Sequence, residues 1–79
     1  METRLAVMSI VVRSKESVNE INEILHEYGD FIIGRMGIPY KERNINLISV
    51  ALDAPQDDIS AISGKIGNLD NVEVKTAFA

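Results

Sequence analysis

Arg4-Leu-Ala-Val-Met-Ser-Ile-Val-Val12 is apolar everywhere except at Arg4 and Ser9, and it is rich in β-branched residues. That is the pattern of a strand covered on both faces. Ile45-Asn-Leu-Ile-Ser-Val-Ala-Leu52 repeats it, interrupted only by Asn46 and Ser49. Two other stretches are weaker. Phe31 to Ile38 reads as a strand, but Gly34 and Gly37 point to a bulge or an edge. Val72-Glu-Val-Lys-Thr-Ala-Phe78 alternates as a strand with one wet face does.

Two helical patterns separate these strands. Ser17-Val-Asn-Glu20 has the spacing of a capping box, and Val18, Ile21, Ile24, Leu25 and Tyr28 form one stripe behind it. Gly29 stands where a left-handed residue closes a helix. A second helix is expected to begin between Asp53 and Asp57, aided by Pro55 and by acidic residues in its first turn. Its stripe is Ile59, Ile62, Ile66 and Leu69, with Gly67 near the stop. Pro39 to Asn44 reads as a polar loop. The order β-α-β-β-α-β is the ferredoxin-like split unit, an α+β class with two helices on one face of a four-stranded antiparallel sheet. In that topology the first and third strands are central, which agrees with their continuous apolar runs.

Composition bounds the rest. Seventy-nine residues suggest a single domain spanning 1–79. There is no cysteine, which excludes cysteine nucleophiles, zinc ribbons, iron–sulfur ligation and a disulfide scaffold. Eight basic against twelve acidic residues leave a net charge of −4, unfavourable for binding nucleic acid or an anionic membrane. The longest apolar run is too short to span a bilayer, and Met1-Glu-Thr-Arg4 does not resemble an export signal. A cytoplasmic protein is the expectation.

One feature does not suit a monomer. Helices cover one face of the sheet, yet both residue sets of the central strands are apolar: Leu5, Val7 and Val11 against Ala6, Met8, Ile10 and Val12, and Ile45 and Leu47 against Ile48, Val50 and Leu52. Whichever set loses the competition for the helices needs a partner subunit, so a homo-oligomer is expected.

Residues with chemical potential are few. His26 is the only histidine and falls with Asn19 and Asn22 on the polar side of the first helix, a solvated face rather than a metal site. Asp53, Asp57 and Asp58 could bind a hard cation, but favourable charge at a helix N-terminus accounts for them. No phosphate loop or nucleophile elbow is present, so no catalytic residue, metal or cofactor is expected. Gly34-Arg-Met-Gly-Ile-Pro-Tyr-Lys-Glu-Arg-Asn44 is the unusual stretch. Arg35, Lys41 and Arg43 gather positive charge beside Tyr40, while Gly34 and Gly37 permit close approach of another backbone. It reads either as a site for a small anionic effector or partner protein, or as a hairpin whose charged tip blunts edge pairing.

Gly34-Arg-Met-Gly-Ile-Pro-Tyr40, together with the opening strand and the ending Val72 to Phe78, resembles a family of short bacterial proteins called iron-only hydrogenase system regulators. That family is similar to the ligand-sensing half of the nickel-responsive repressor, an ACT-like ferredoxin fold that forms dimers and tetramers. The resemblance implies a transcription-regulator-like module of a hydrogenase system. Two departures limit the transfer. The first strand begins near Leu5, leaving no room for the repressor's DNA-reading segment, and the repressor's histidines and cysteine are missing. Specific DNA contacts and nickel ligands are therefore not expected. The expected function is a homo-oligomeric regulatory module that binds an effector or partner. A non-regulatory accessory protein docking on a hydrogenase maturation partner is the alternative.

Overall fold

The computed structural model describes residues 2–79. Four strands, β1 (Arg4–Val12), β2 (Ile32–Tyr40), β3 (Ile45–Ala54) and β4 (Val72–Phe78), form one antiparallel sheet in the order β2-β3-β1-β4. Helices α1 (Lys15–Glu27) and α2 (Gln56–Gly67) pack on one face of it. This is the ferredoxin-like arrangement, with the two continuous apolar runs at the centre and the weaker strands at the edges.

Strand register decides which apolar set wins the helices. Ala6, Met8, Ile10 and Val12 of β1 pair with Leu52, Val50, Ile48 and Asn46 of β3, so these residues share the helix-covered face. All of them but Asn46 are buried, against Ile21 and Leu25 of α1 and Ile59, Ile62 and Ile66 of α2. Each isoleucine or leucine so buried contributes roughly 1.5–3 kcal/mol relative to exposure. Leu5, Val7 and Leu47 lose the competition and stay exposed on the other face, with Val11 and Ile45 half-buried beside them.

Several local expectations need correction. The capping box does not form, because α1 starts three residues early: Ser14 is the extended N-cap, and its side chain makes no cap hydrogen bond. Ser17 therefore lies inside the helix, is buried, and donates from Oγ to the carbonyl oxygen of Asp70 at 2.7 Å, tying α1 to the turn before β4. Gly29 is not left-handed, and no glycine has positive φ among the described residues. The chain leaves α1 at Tyr28 and runs on into a short 3-10 turn, Gly29–Phe31, with the Phe31 N–H donating to the Tyr28 carbonyl. α2 begins at Gln56 behind Pro55, and Leu69 falls beyond its end.

The largest difference concerns Pro39 and Tyr40, which are strand rather than loop. β2 continues to Tyr40, pairing Pro39 with Asn46 and Tyr40 with Ile45. Proline is tolerated because β2 is an edge strand, whose outer N–H positions have no ladder partner. The reversal is made by a 3-10 turn, Lys41–Arg43, and by Asn44 in the left-handed region at φ 52 and ψ 44. The bulge anticipated from the glycines is present. The register shifts between Ile32 and Gly34, so Ile33 is the extra residue in β2. An extra residue reverses the alternation after it. Arg35, Gly37 and Pro39 consequently face the helix side, opposite Val50, Ile48 and Asn46, while Met36, Ile38 and Tyr40 take the open face.

Candidate binding site at the loop end of the sheet

Antiparallel pairing brings the end of β1, the start of α1, the end of β2 and the start of β3 to one end of the molecule. Two adjoining clefts open there. One, of about 320 Å³, is lined by Lys15, Pro39, Tyr40, Lys41, Asn44, Ile45 and Asn46. The other, of about 220 Å³, is lined by Arg13, Ser14, Lys15, Asn44 and Asn46. Lys15, Asn44 and Asn46 belong to both.

The donor set has a clear chemical bias. Lys15 and Lys41 bring ammonium groups, and among the described residues neither pairs with a carboxylate. Asn44 and Asn46 add amides that both donate and accept. Arg13 is partly neutralised, since its Nη1 lies 2.8 Å from Glu73 Oε1. The Tyr40 hydroxyl donates to Glu42 Oε2 at 3.1 Å, which orients the phenol at the rim. Such a cleft suits a small carboxylate or phosphate better than a cation or an apolar molecule.

Only part of the anticipated stretch converges here. Tyr40 and Lys41 line the cleft, whereas Arg43 lies in the turn and lines neither cleft. Arg35 points to the helix side, where its Nη2 donates to Asn22 Oδ1 at 2.6 Å, joining β2 to α1. A Cβ added at Gly34 or Gly37 would meet nothing within 4 Å, so no neighbour among the described residues requires either glycine. His26 is exposed on α1. Asp53 is the penultimate residue of β3 while Asp57 and Asp58 lie in the first turn of α2, and no three metal-ligating side chains gather among the described residues. Arg13, Lys15 and Asn46 were not singled out by their spacing. The topology could have supplied them, because an antiparallel β1–β3 pair sets the end of the first strand beside the start of the third.

A second surface is the open face of the sheet. Leu5, Val7, Ile33, Met36, Ile38 and Leu47 are 39–63% exposed there. Far from the loops it sinks into an apolar hollow of about 380 Å³, with Ala51 and Ala77 in its lining and Leu5, Val7 and Ile33 beside them. No helix among the described residues is long and apolar enough to cross a membrane.

Comparisons with known proteins place this geometry. The family described as "TM1266-like: Iron-only hydrogenase system regulator, putative" matches residues 4–76. The solved structure of the uncharacterized protein TM1266 from Thermotoga maritima is similar to this chain at 36% identity, covers 98% of both chains and superposes with a TM-score of 0.94. The C-terminal domain of the MgtC protein from Mycobacterium tuberculosis is 11% identical over 98% of this chain and 88% of its own, with a TM-score of 0.72. A homoserine dehydrogenase from Thiobacillus denitrificans is 18% identical over 96% of this chain but only 17% of its own length, with a TM-score of 0.68. The last two show likeness of fold alone. No curated protein matches the sequence.

Proposed function

The chain belongs to the TM1266-like family of iron-only hydrogenase system regulators, and from that premise we propose that it regulates such a system by binding a small anionic effector at the loop-end cleft and acting as a homo-oligomer. The family match over residues 4–76 carries the reading. The cleft between Lys15 and Lys41 supports its chemical side, as it joins two unpaired ammonium groups with two asparagine amides. The exposed apolar face of the sheet supports the assembly. Regulation then passes through another protein rather than through direct reading of DNA, because a net charge of −4 opposes phosphate contacts.

The decisive experiment deletes the gene in a host that makes an iron-only hydrogenase and measures both hydrogenase transcripts and hydrogenase activity. Altered transcript levels, restored by the wild-type gene but not by the Lys15→Ala/Lys41→Ala pair, are expected. Unchanged transcripts with lost activity would replace the regulatory reading by an accessory role in enzyme assembly.

A further inference from the structure

The open face can be read as a grid, because register fixes which side chains lie abreast. Across β2, β3, β1 and β4 the middle row is Met36, Ser49, Ser9 and Lys75. Toward the loops the next row is Ile38, Leu47, Val11 and Glu73. Away from them it is Gly34, Ala51, Val7 and Ala77. One side of the middle row therefore carries projecting branched side chains. The other side is the 380 Å³ hollow, lined by Ala51 and Ala77 with Leu5, Val7 and Ile33 beside them, and Gly34 lies abreast of Ala51 in the same row.

We infer that this face seats a second copy of the chain, turned end for end about a two-fold axis that runs across the strands through the Met36–Ser49–Ser9–Lys75 row. The inference rests on the homo-oligomeric part of the function proposed above and adds its geometry. Such an axis keeps each column in place and exchanges the flanking rows. Leu47 then enters the hollow over Ala51 of the partner subunit, and Ile38 meets Gly34 of the partner subunit. On the axis each serine faces its own copy, and since a hydroxyl both donates and accepts, like pairs with like. That lowers the cost of burying the two central serines, while Lys75, exposed on edge strand β4, meets its own copy at the wet rim of the contact.

Area and charge agree with this occupant. Four strands about 4.8 Å apart, each rising about 3.3 Å per residue, present roughly 600 Å² of flat face per copy. A two-fold contact of that kind removes about 1,200 Å² in total, within the range of specific interfaces. The molecule is also electrically polar along its strands. Asp30, Asp53, Asp57 and Asp58 lie at the end away from the loops with Arg4, while Arg13, Lys15, Lys41 and Arg43 lie at the loop end among Glu16, Glu42, Asp70 and Glu73. Exchanging ends sets the acidic end of one copy against the balanced, cation-bearing end of the other rather than against a second acidic end. An axis parallel to the strands would instead join like ends and lay Lys75 over Met36 and Glu73 over Ile38.

Absence of cysteine makes the test clean, since any introduced thiol is unique. The wild-type chain should sediment as a dimer or a multiple of one. Met36→Cys treated with a short bismaleimide should give mostly covalent dimer. Leu47→Cys and Ala51→Cys should cross-link when mixed and far less when each is alone. Leu47→Asp, with its circular dichroism unchanged, should weaken association by roughly 100-fold or more, as burying an uncompensated charge does. A wild-type monomer at micromolar concentration would overturn the interface altogether. A stable oligomer in which Met36→Cys couples to Lys75→Cys rather than to itself would overturn the end-for-end arrangement. Neither result bears on transcript levels, so the regulatory reading stands or falls separately.

Discussion

Asn44 holds the turn that closes the β2–β3 hairpin, and its left-handed backbone, shared among the described residues only with Asn71, gives it a strict local requirement. A residue with a Cβ and no compensating side-chain polarity pays about 1–2 kcal/mol there. Asn44→Ala should lower the urea midpoint accordingly, while Asn44→Gly should leave it within a few tenths of a kcal/mol. Ser17 carries a different constraint. Its buried hydroxyl bonds the Asp70 carbonyl, so Ser17→Ala should cost about 1 kcal/mol in the same titration. Side chains at the cleft should behave in the opposite way. Lys15→Ala or Lys41→Ala should leave stability unchanged and weaken phosphate or dicarboxylate binding, read by calorimetry. Calorimetry with His26→Ala should match wild type, since His26 stands on the wet side of α1, apart from both clefts.

At the scale of the element, β2 shows what a linear pattern can and cannot reveal. Two glycines in a strand announced a bulge at an edge, and both features are present. Which residue is the extra one was not legible, because alternation reads equally well in either phase until one residue is known to be skipped. Reading Pro39 to Asn44 as a loop left Arg35 and Tyr40 free to share a site, whereas β2 runs on through Tyr40 and their five-residue separation within one strand sends them to opposite faces. The end of the first strand joined the cleft unnoticed for a similar reason: no local signal marks Lys15 as a neighbour of Lys41, and only sheet order brings them together. By contrast β1 and β3 were plain from their continuous apolar runs, and helix stripes identified Ile21, Leu25, Ile59, Ile62 and Ile66 as core. Deleting Ile33 tests the reading directly. It should leave Ile32 opposite Leu52 and Gly34 opposite Ala51 with no residue skipped, so Met36, Ile38 and Tyr40 keep the open face and the dispersed amide spectrum survives; a collapsed spectrum would show that Ile33 is not the extra residue.

For the whole molecule, charge and connectivity set the behaviour. The purified chain should bind DNA weakly and without sequence preference at ~0.15 M salt, where screening is already strong; a nanomolar, sequence-specific gel shift would refute this. Connectivity has a kinetic consequence. β2 and β3 are joined by a short turn and pair early, Tyr40 against Ile45. β1, however, must find partners on both sides that lie far along the chain: Ala6 pairs with Leu52 on one side and Phe78 on the other. Ordering so much intervening chain before these contacts form slows folding, and until β4 docks, one long edge of β1 stays open to stray pairing. Stopped-flow refolding should therefore show substitutions in the Lys41–Asn44 turn slowing the folding limb, and substitutions at Val74 or Thr76 mainly quickening the unfolding limb. The strand that completes the sheet is in this sense a latch: it contributes little to the speed of assembly and much to how long the finished protein lasts.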